Sequence, residues 1–140
     1  MGRILAIDYG QKRVGLAVTD ETKVIALPLT TVHAKDILTF LEGYVSTHSV
    51  ECFVVGEPKQ MNNTPSESAK FIEPFVRRLK VAFPEIQVER VDERFTSKIA
   101  TRAIRDSGVR KKNRMDKSLV DTVSAVIILQ SFMEERELRR

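Results

Sequence analysis

The sequence predicts an α/β fold: a five-stranded mixed sheet in the order β-β-β-α-β-α-β-α-α, with helices on both faces. Three observations carry this. The stretch Arg3–Gly10 opens with a short, nearly continuous apolar run that ends at Asp8, and Val50–Val55 is another, the pattern of strands buried on both faces. Three strand-like segments precede the first helical stripe, and strands and helices alternate afterwards. The helical stripes repeat every three to four residues, with polar residues between them.

The totals agree. A chain of 140 residues, 42% hydrophobic and 30% charged, fits one domain, 1–140, with a real core. Charged residues interrupt every apolar segment, so no membrane partner is expected and a cytoplasmic protein is. The single cysteine, Cys52, excludes an internal disulfide and lies inside an apolar run, where a buried structural thiol is expected. His33 and His48 match no metal-ligand spacing and read as surface or helix-end residues. A net charge of +4 permits a polyanionic partner without requiring one.

The stretch Arg3–Gly10 holds the first strand, which ends at Asp8, with Gly10 in the turn that follows. Arg13–Thr19 alternates Val14, Leu16 and Val18 with Gly15, Ala17 and Thr19, giving a strand with one large and one small face. The short connection makes these two a hairpin. The small face suits close packing or close approach of a ligand. Val24–Val32 is the third strand, and Pro28 places it at an edge or a bulge. A helix begins at Asp36, with Ile37, Leu38, Leu41, Tyr44 and Val45 on its inner face. Val50–Val55 is the fourth strand.

Thr64-Pro65-Ser66-Glu67 reads as a capped helix start, and Phe71, Ile72, Phe75, Val76 and Leu79 form its stripe. Pro74 predicts a bend. Ile86–Val91 is the fifth strand. A helix capped by Thr96 or Ser97 carries Ile99, Ala100, Ala103 and Ile104 and stops at Gly108. A basic loop, 109–117, leads to a last helix opening at Ser118. That helix is apolar nearly all round over Val123–Leu129 and is expected to be buried.

Carboxylates stand where buried elements end. Asp8 ends the first strand, Glu57 follows the fourth, Asp92 and Glu93 end the fifth, and Asp121 lies in the first turn of the last helix. If the first, fourth and fifth strands are parallel neighbours, their carboxyl ends share one rim, where sites gather in open α/β sheets. Carboxylates gathered there repel one another unless a cation neutralises them, and all-oxygen ligands favour Mg²⁺ or Mn²⁺. Each also has a structural alternative. Asp8 or Asp92 could cap a turn, Glu93 could pair with a base, Glu57 could be solvated, and Asp121 could serve the helix dipole.

Arg102, Arg105, Arg110, Lys111, Lys112, Arg114 and Lys117 cluster before Asp121. Such a run is often a solvated face. Beside a carboxylate cluster it is also what a phosphodiester substrate needs, because cations neutralise backbone phosphates. Lys12, Arg13 and Arg94 flank Asp8 and Glu93 and count with Arg110, Lys111, Lys112, Arg114 and Lys117 as candidate nucleic-acid contacts. Aromatic residues are scarce near the loop, so recognition should lean on backbone shape.

Four segments together resemble one family. Ile7-Asp8-Tyr9-Gly10-Gln11-Lys12-Arg13-Val14-Gly15-Leu16-Ala17 resembles the opening motif of the YqgF family. Val54–Met61, Val91–Ser97 and Val120–Gln130 resemble its second, third and fourth motifs, in order and over nearly the whole chain. The family's members are RNase H-like proteins described provisionally as Holliday-junction resolvases and as pre-16S rRNA nucleases. The resemblance implies an RNase H-like fold, with Asp8, Glu93 and Asp121 as metal-binding carboxylates. Many members carry leucine where Glu57 stands, so Glu57 rests only on its place after the fourth strand.

The function the resemblance implies is metal-dependent cleavage of structured RNA in maturing the 16S rRNA 5′ end. A junction-resolving DNA nuclease would use the same chemistry. A non-catalytic ribosome-assembly factor, bound to pre-ribosomal particles, is the alternative outside enzymes. Asp-x-Gly on a hairpin also resembles the phosphate loop of actin-like kinases, which need two such domains.

Overall fold

The computed structural model describes residues 2–57, 69–92 and 117–138. Five strands form one sheet: β1 (Arg3–Tyr9), β2 (Arg13–Thr19), β3 (Ala26–His33), β4 (Val50–Glu57) and β5 (Gln87–Asp92). Their spatial order is β3-β2-β1-β4-β5. β1, β2 and β3 run antiparallel in succession, while β1, β4 and β5 are parallel neighbours. The mixed sheet and the shared rim of β1, β4 and β5 are therefore as expected.

Strand alternation divides the core between two faces. Leu5, Ile7, Leu16, Phe53 and Val55 pack on one face with Ile37 and Leu41 of α1 (Ile37–Thr47) and Ile72, Phe75 and Leu79 of α2 (Ala69–Ala82). Ile4, Ala6, Ala17, Cys52, Val54 and Val91 pack on the other with Ala125, Ile128, Leu129 and Phe132 of α3 (Lys117–Leu138). The small face of β2 thus receives a helix, because short side chains let it approach closely.

Local chemistry explains the connections. The Gly10 N–H donates to the Arg13 carbonyl at 3.0 Å, and a Cβ at Gly10 would lie 2.7 Å from that oxygen. A short 3-10 turn, Ala34–Asp36, precedes α1, and His33 Nδ1 accepts from the Lys35 N–H. Pro28 lies on edge strand β3, beside a register shift opposite Leu16 and Ala17. Both the edge and the bulge that proline favours are present.

Some expectations need correction. β3 starts at Ala26, and Val24 and Ile25 are exposed in the preceding turn, where the Asp20 carboxylate accepts their backbone N–H groups. That turn chemistry outweighs their β-propensity. Phe71 is 44% exposed, so the stripe of α2 begins at Ile72. Pro74 lies inside α2 at an exposed position, where solvent can reach the carbonyl it cannot serve. α3 is buried along one side: Val126 and Ile127 are only half-buried and Gln130 is exposed. A single sheet face covers only one side of a helix lying on it. The predicted helix capped by Thr96 or Ser97 and the basic loop lie outside the described residues, apart from Lys117.

Candidate active site

Asp8 belongs to the carboxyl end of β1 and is half-buried. By alternation it shares the face of Ile4 and Ala6, the face covered by α3. Its neighbour Tyr9 faces the other way and stacks on Phe75 of α2, with ring centroids 4.3 Å apart. That stack pins the end of β1, and pinning Tyr9 also sets the direction in which Asp8 leaves the strand.

The strands beside Asp8 carry no side chain at its level. Asp8 pairs with Gly15 of β2. Ile7 pairs with Val55 of β4, so Gly56 follows beside Asp8. Both glycines are buried. Two glycines flanking one carboxylate are the residues that close ligand approach to a strand favours.

The start of α3 comes to the same row. Gly15 pairs in turn with Thr31 of β3. Thr31 Oγ1 and Thr122 Oγ1 share a hydrogen bond of 2.7 Å. At one strand spacing per step, the Cα atoms of Asp8 and Thr31 are about 10 Å apart. The backbone of Asp121, one residue before Thr122, therefore lies above the row that Asp8 begins. Neither threonine was singled out in the sequence. The only local hint was the small face of β2, which left room for a helix to cross to β3.

Glu57 and Asp92 close β4 and β5 and pair with each other. Position 57 has the parity of Phe53 and Val55, out of step with Asp8. Adjacent strand ends share a rim, but the face each residue belongs to depends on register as well. Glu93, Arg94, Arg110, Lys111, Lys112 and Arg114 lie outside the described residues. Lys12 is exposed in the first turn, its carbonyl accepting from the Ala34 N–H at 2.9 Å. Arg13 is half-buried at the start of β2, and Lys117 is the first residue of α3.

On this face Asp8 offers a carboxylate oxygen. Hard oxygen donors fit Mg²⁺ or Mn²⁺. No group of three or more His, Cys, Asp or Glu that could hold a metal occurs among the described residues. Cys52 lies toward the opposite end of this face, paired with Ile4. Burial pushes its thiol up to about 12, which makes it a packing residue and a poor nucleophile. His33 and His48 are exposed, at the ends of the 3-10 turn and of α1. Among the described residues no helix is long and apolar enough to cross a membrane.

Residues 2–135 match the model of a family described as RuvX, Holliday junction resolvase. A protein of Bacteroides thetaiotaomicron provisionally named a pre-16S rRNA nuclease is 54% identical over 136 residues, 97% of this chain and 99% of its own. One of Porphyromonas gingivalis with the same provisional name is 57% identical over 134 residues, 96% of this chain and 97% of its own. The solved structure of T. thermophilus RuvC in complex with a Holliday junction substrate aligns with a TM-score of 0.57 at 16% identity, over 97% of this chain and 96% of that one. At that identity the likeness concerns the fold, which is the RNase H-like arrangement the motifs implied.

Proposed function

The chain belongs to the RuvX family, and from that premise we propose that it is a divalent-metal-dependent nuclease of structured nucleic acid. Its proposed substrate is the 5′ end of pre-16S rRNA, met in the cytoplasm on pre-ribosomal particles. The observation that carries the reading is Asp8 between Gly15 and Gly56, below the start of α3. A costly carboxylate with no side chain on either neighbouring strand beside it has the form of a site.

In this proposal Asp8, Glu93 and Asp121 hold Mg²⁺ or Mn²⁺. Such an ion, when bound, activates water and stabilises the leaving oxygen of a phosphodiester. The protein's own residues do the rest. Gly15 and Gly56 admit the substrate backbone. Lys12, Arg13, Arg94, Arg110, Lys111, Lys112, Arg114 and Lys117 neutralise its phosphates. Glu57, placed at the same rim, is a supporting carboxylate. The proposed nuclease domain spans 1–140.

A second reading, a nuclease of branched DNA, is favoured by the family's description as a Holliday junction resolvase. The RNA reading draws on the provisional names of the close relatives. Cleavage of a labelled pre-16S 5′ leader and of a four-way DNA junction, each with and without Mn²⁺, tests both. Metal-dependent cleavage of the leader at the mature end is expected. Cleavage of the junction alone would transfer the reading to DNA. Salt-dependent binding without cleavage, indifferent to Mn²⁺, would leave a binding factor in place of a nuclease.

A further inference from the structure

We propose that the Thr31–Thr122 hydroxyl pair is a positioning contact that sets the first turns of α3, and with them Asp121, in register with Asp8. The inference rests on the nuclease reading above and adds two residues to it. Three observations lead to it. Asp8, Gly15 and Thr31 form one row across β1, β2 and β3. Thr31 Oγ1 and Thr122 Oγ1 meet at 2.7 Å in a half-buried setting, although 91 residues separate them in the chain. Below this row, α3 is held to the sheet by apolar packing of Ala125, Ile128, Leu129 and Phe132.

Apolar packing is non-directional, so it tolerates small sliding and rotation of a helix on a sheet of small residues. A hydroxyl–hydroxyl bond does not, because its distance and angles are narrow. At the far end, Arg136 lies 3.8 Å from Glu51, a loose contact of an exposed side chain that fixes little. The threonine pair is thus a directional contact next to Asp121, and it refers that residue to the same sheet row as Asp8. A misplacement of about 1 Å between reacting groups can cost on the order of 100-fold in rate.

The test uses full-length Thr31→Val, Thr122→Val, the double variant, and the conservative Thr31→Ser and Thr122→Ser. Three quantities are read: cleavage rate, direct Mn²⁺ binding by calorimetry, and melting temperature. Each valine variant is expected to cleave about 10-fold more slowly and to bind Mn²⁺ several-fold more weakly, with a melting temperature close to wild type. The loss in the double variant should fall short of the two single losses combined, since both substitutions remove the shared contact. Serine should restore rate and Mn²⁺ affinity, as it keeps the hydroxyl. Additive losses, or serine variants as slow as the valines, would overturn the pairing. Asp8→Asn separates the two levels of the argument. If it is inactive while both valine variants match wild type in rate and Mn²⁺ affinity, the positioning role is wrong and the nuclease site stands. If it cleaves like wild type, the site and the positioning role fall together.

Discussion

The two faces of the sheet are built from different side chains. Against α1 and α2 stand Leu5, Ile7, Leu16, Phe53 and Val55; against α3 stand Ile4, Ala6, Ala17, Cys52 and Val54, with Gly15 and Gly56 at the rim. The first face is a core of large groups whose work is burial. The second trades volume for proximity, bringing a helix close enough for side chains at its start to meet the sheet. The candidate site belongs to the second face. One face keeps the sheet folded, and the other brings polar groups from distant parts of the chain together.

The sharpest break in this comparison is Asp8→Asn. It keeps the shape of the side chain and removes its charge, so cleavage should fall to background while unfolding stays cooperative. A turn-capping Asp8 would tolerate asparagine, which caps about as well, and activity would survive. Next is Phe53→Ala on the large face. Phe53 is fully buried and lies edge-on to Phe83 at 5.3 Å. Urea unfolding should show a loss of about 3–5 kcal/mol, with the folded fraction still cleaving.

Ala17→Leu applies the opposite insult to the small face. The added methyl groups must push α3 away or force strained rotamers, costing about 1–3 kcal/mol. Here the cleavage rate per folded molecule should drop as well, because the displaced helix carries Asp121. Equal effects of the two core variants on that rate would erase the distinction between the faces.

The smallest effect lies at the foot of the α3 face. Lys23 Nζ contacts Glu51 Oε1 at 2.6 Å, and that hydrogen bond holds the Glu51 carboxyl below its ordinary 4.5. A carboxylate depressed in the folded state contributes stability above its unfolded value and loses it as pH falls through the folded one. Lys23→Met should therefore lower the urea midpoint slightly at neutral pH and flatten its decline below about pH 4.5, the ordinary value above.

Much of the fold was legible because strand period, turn chemistry and charge are local. Gly10 marks a turn, Pro28 marks an edge or a bulge, and the runs in Arg3–Gly10 and Val50–Val55 mark central strands. The limits of elements were less legible where a turn competes: Val24 and Ile25 look like strand yet serve the Asp20 turn. At the site, the rim shared by Asp8, Glu57 and Asp92 could be inferred from strand ends. The opposite parity of position 57 could not, since it depends on how β4 is registered against β1. The Thr31–Thr122 bond was invisible for a related reason: nothing near either residue in the chain points to the other.

Edge strand β3 carries no Asp, Glu, Lys or Arg between Ala26 and His33, and such a strand invites association with other chains. Pro28 removes one backbone donor from it, and the register shift beside Leu16 and Ala17 interrupts its regularity. These two irregularities act as a guard against cross-β aggregation, a hazard that charged edges would otherwise have to meet.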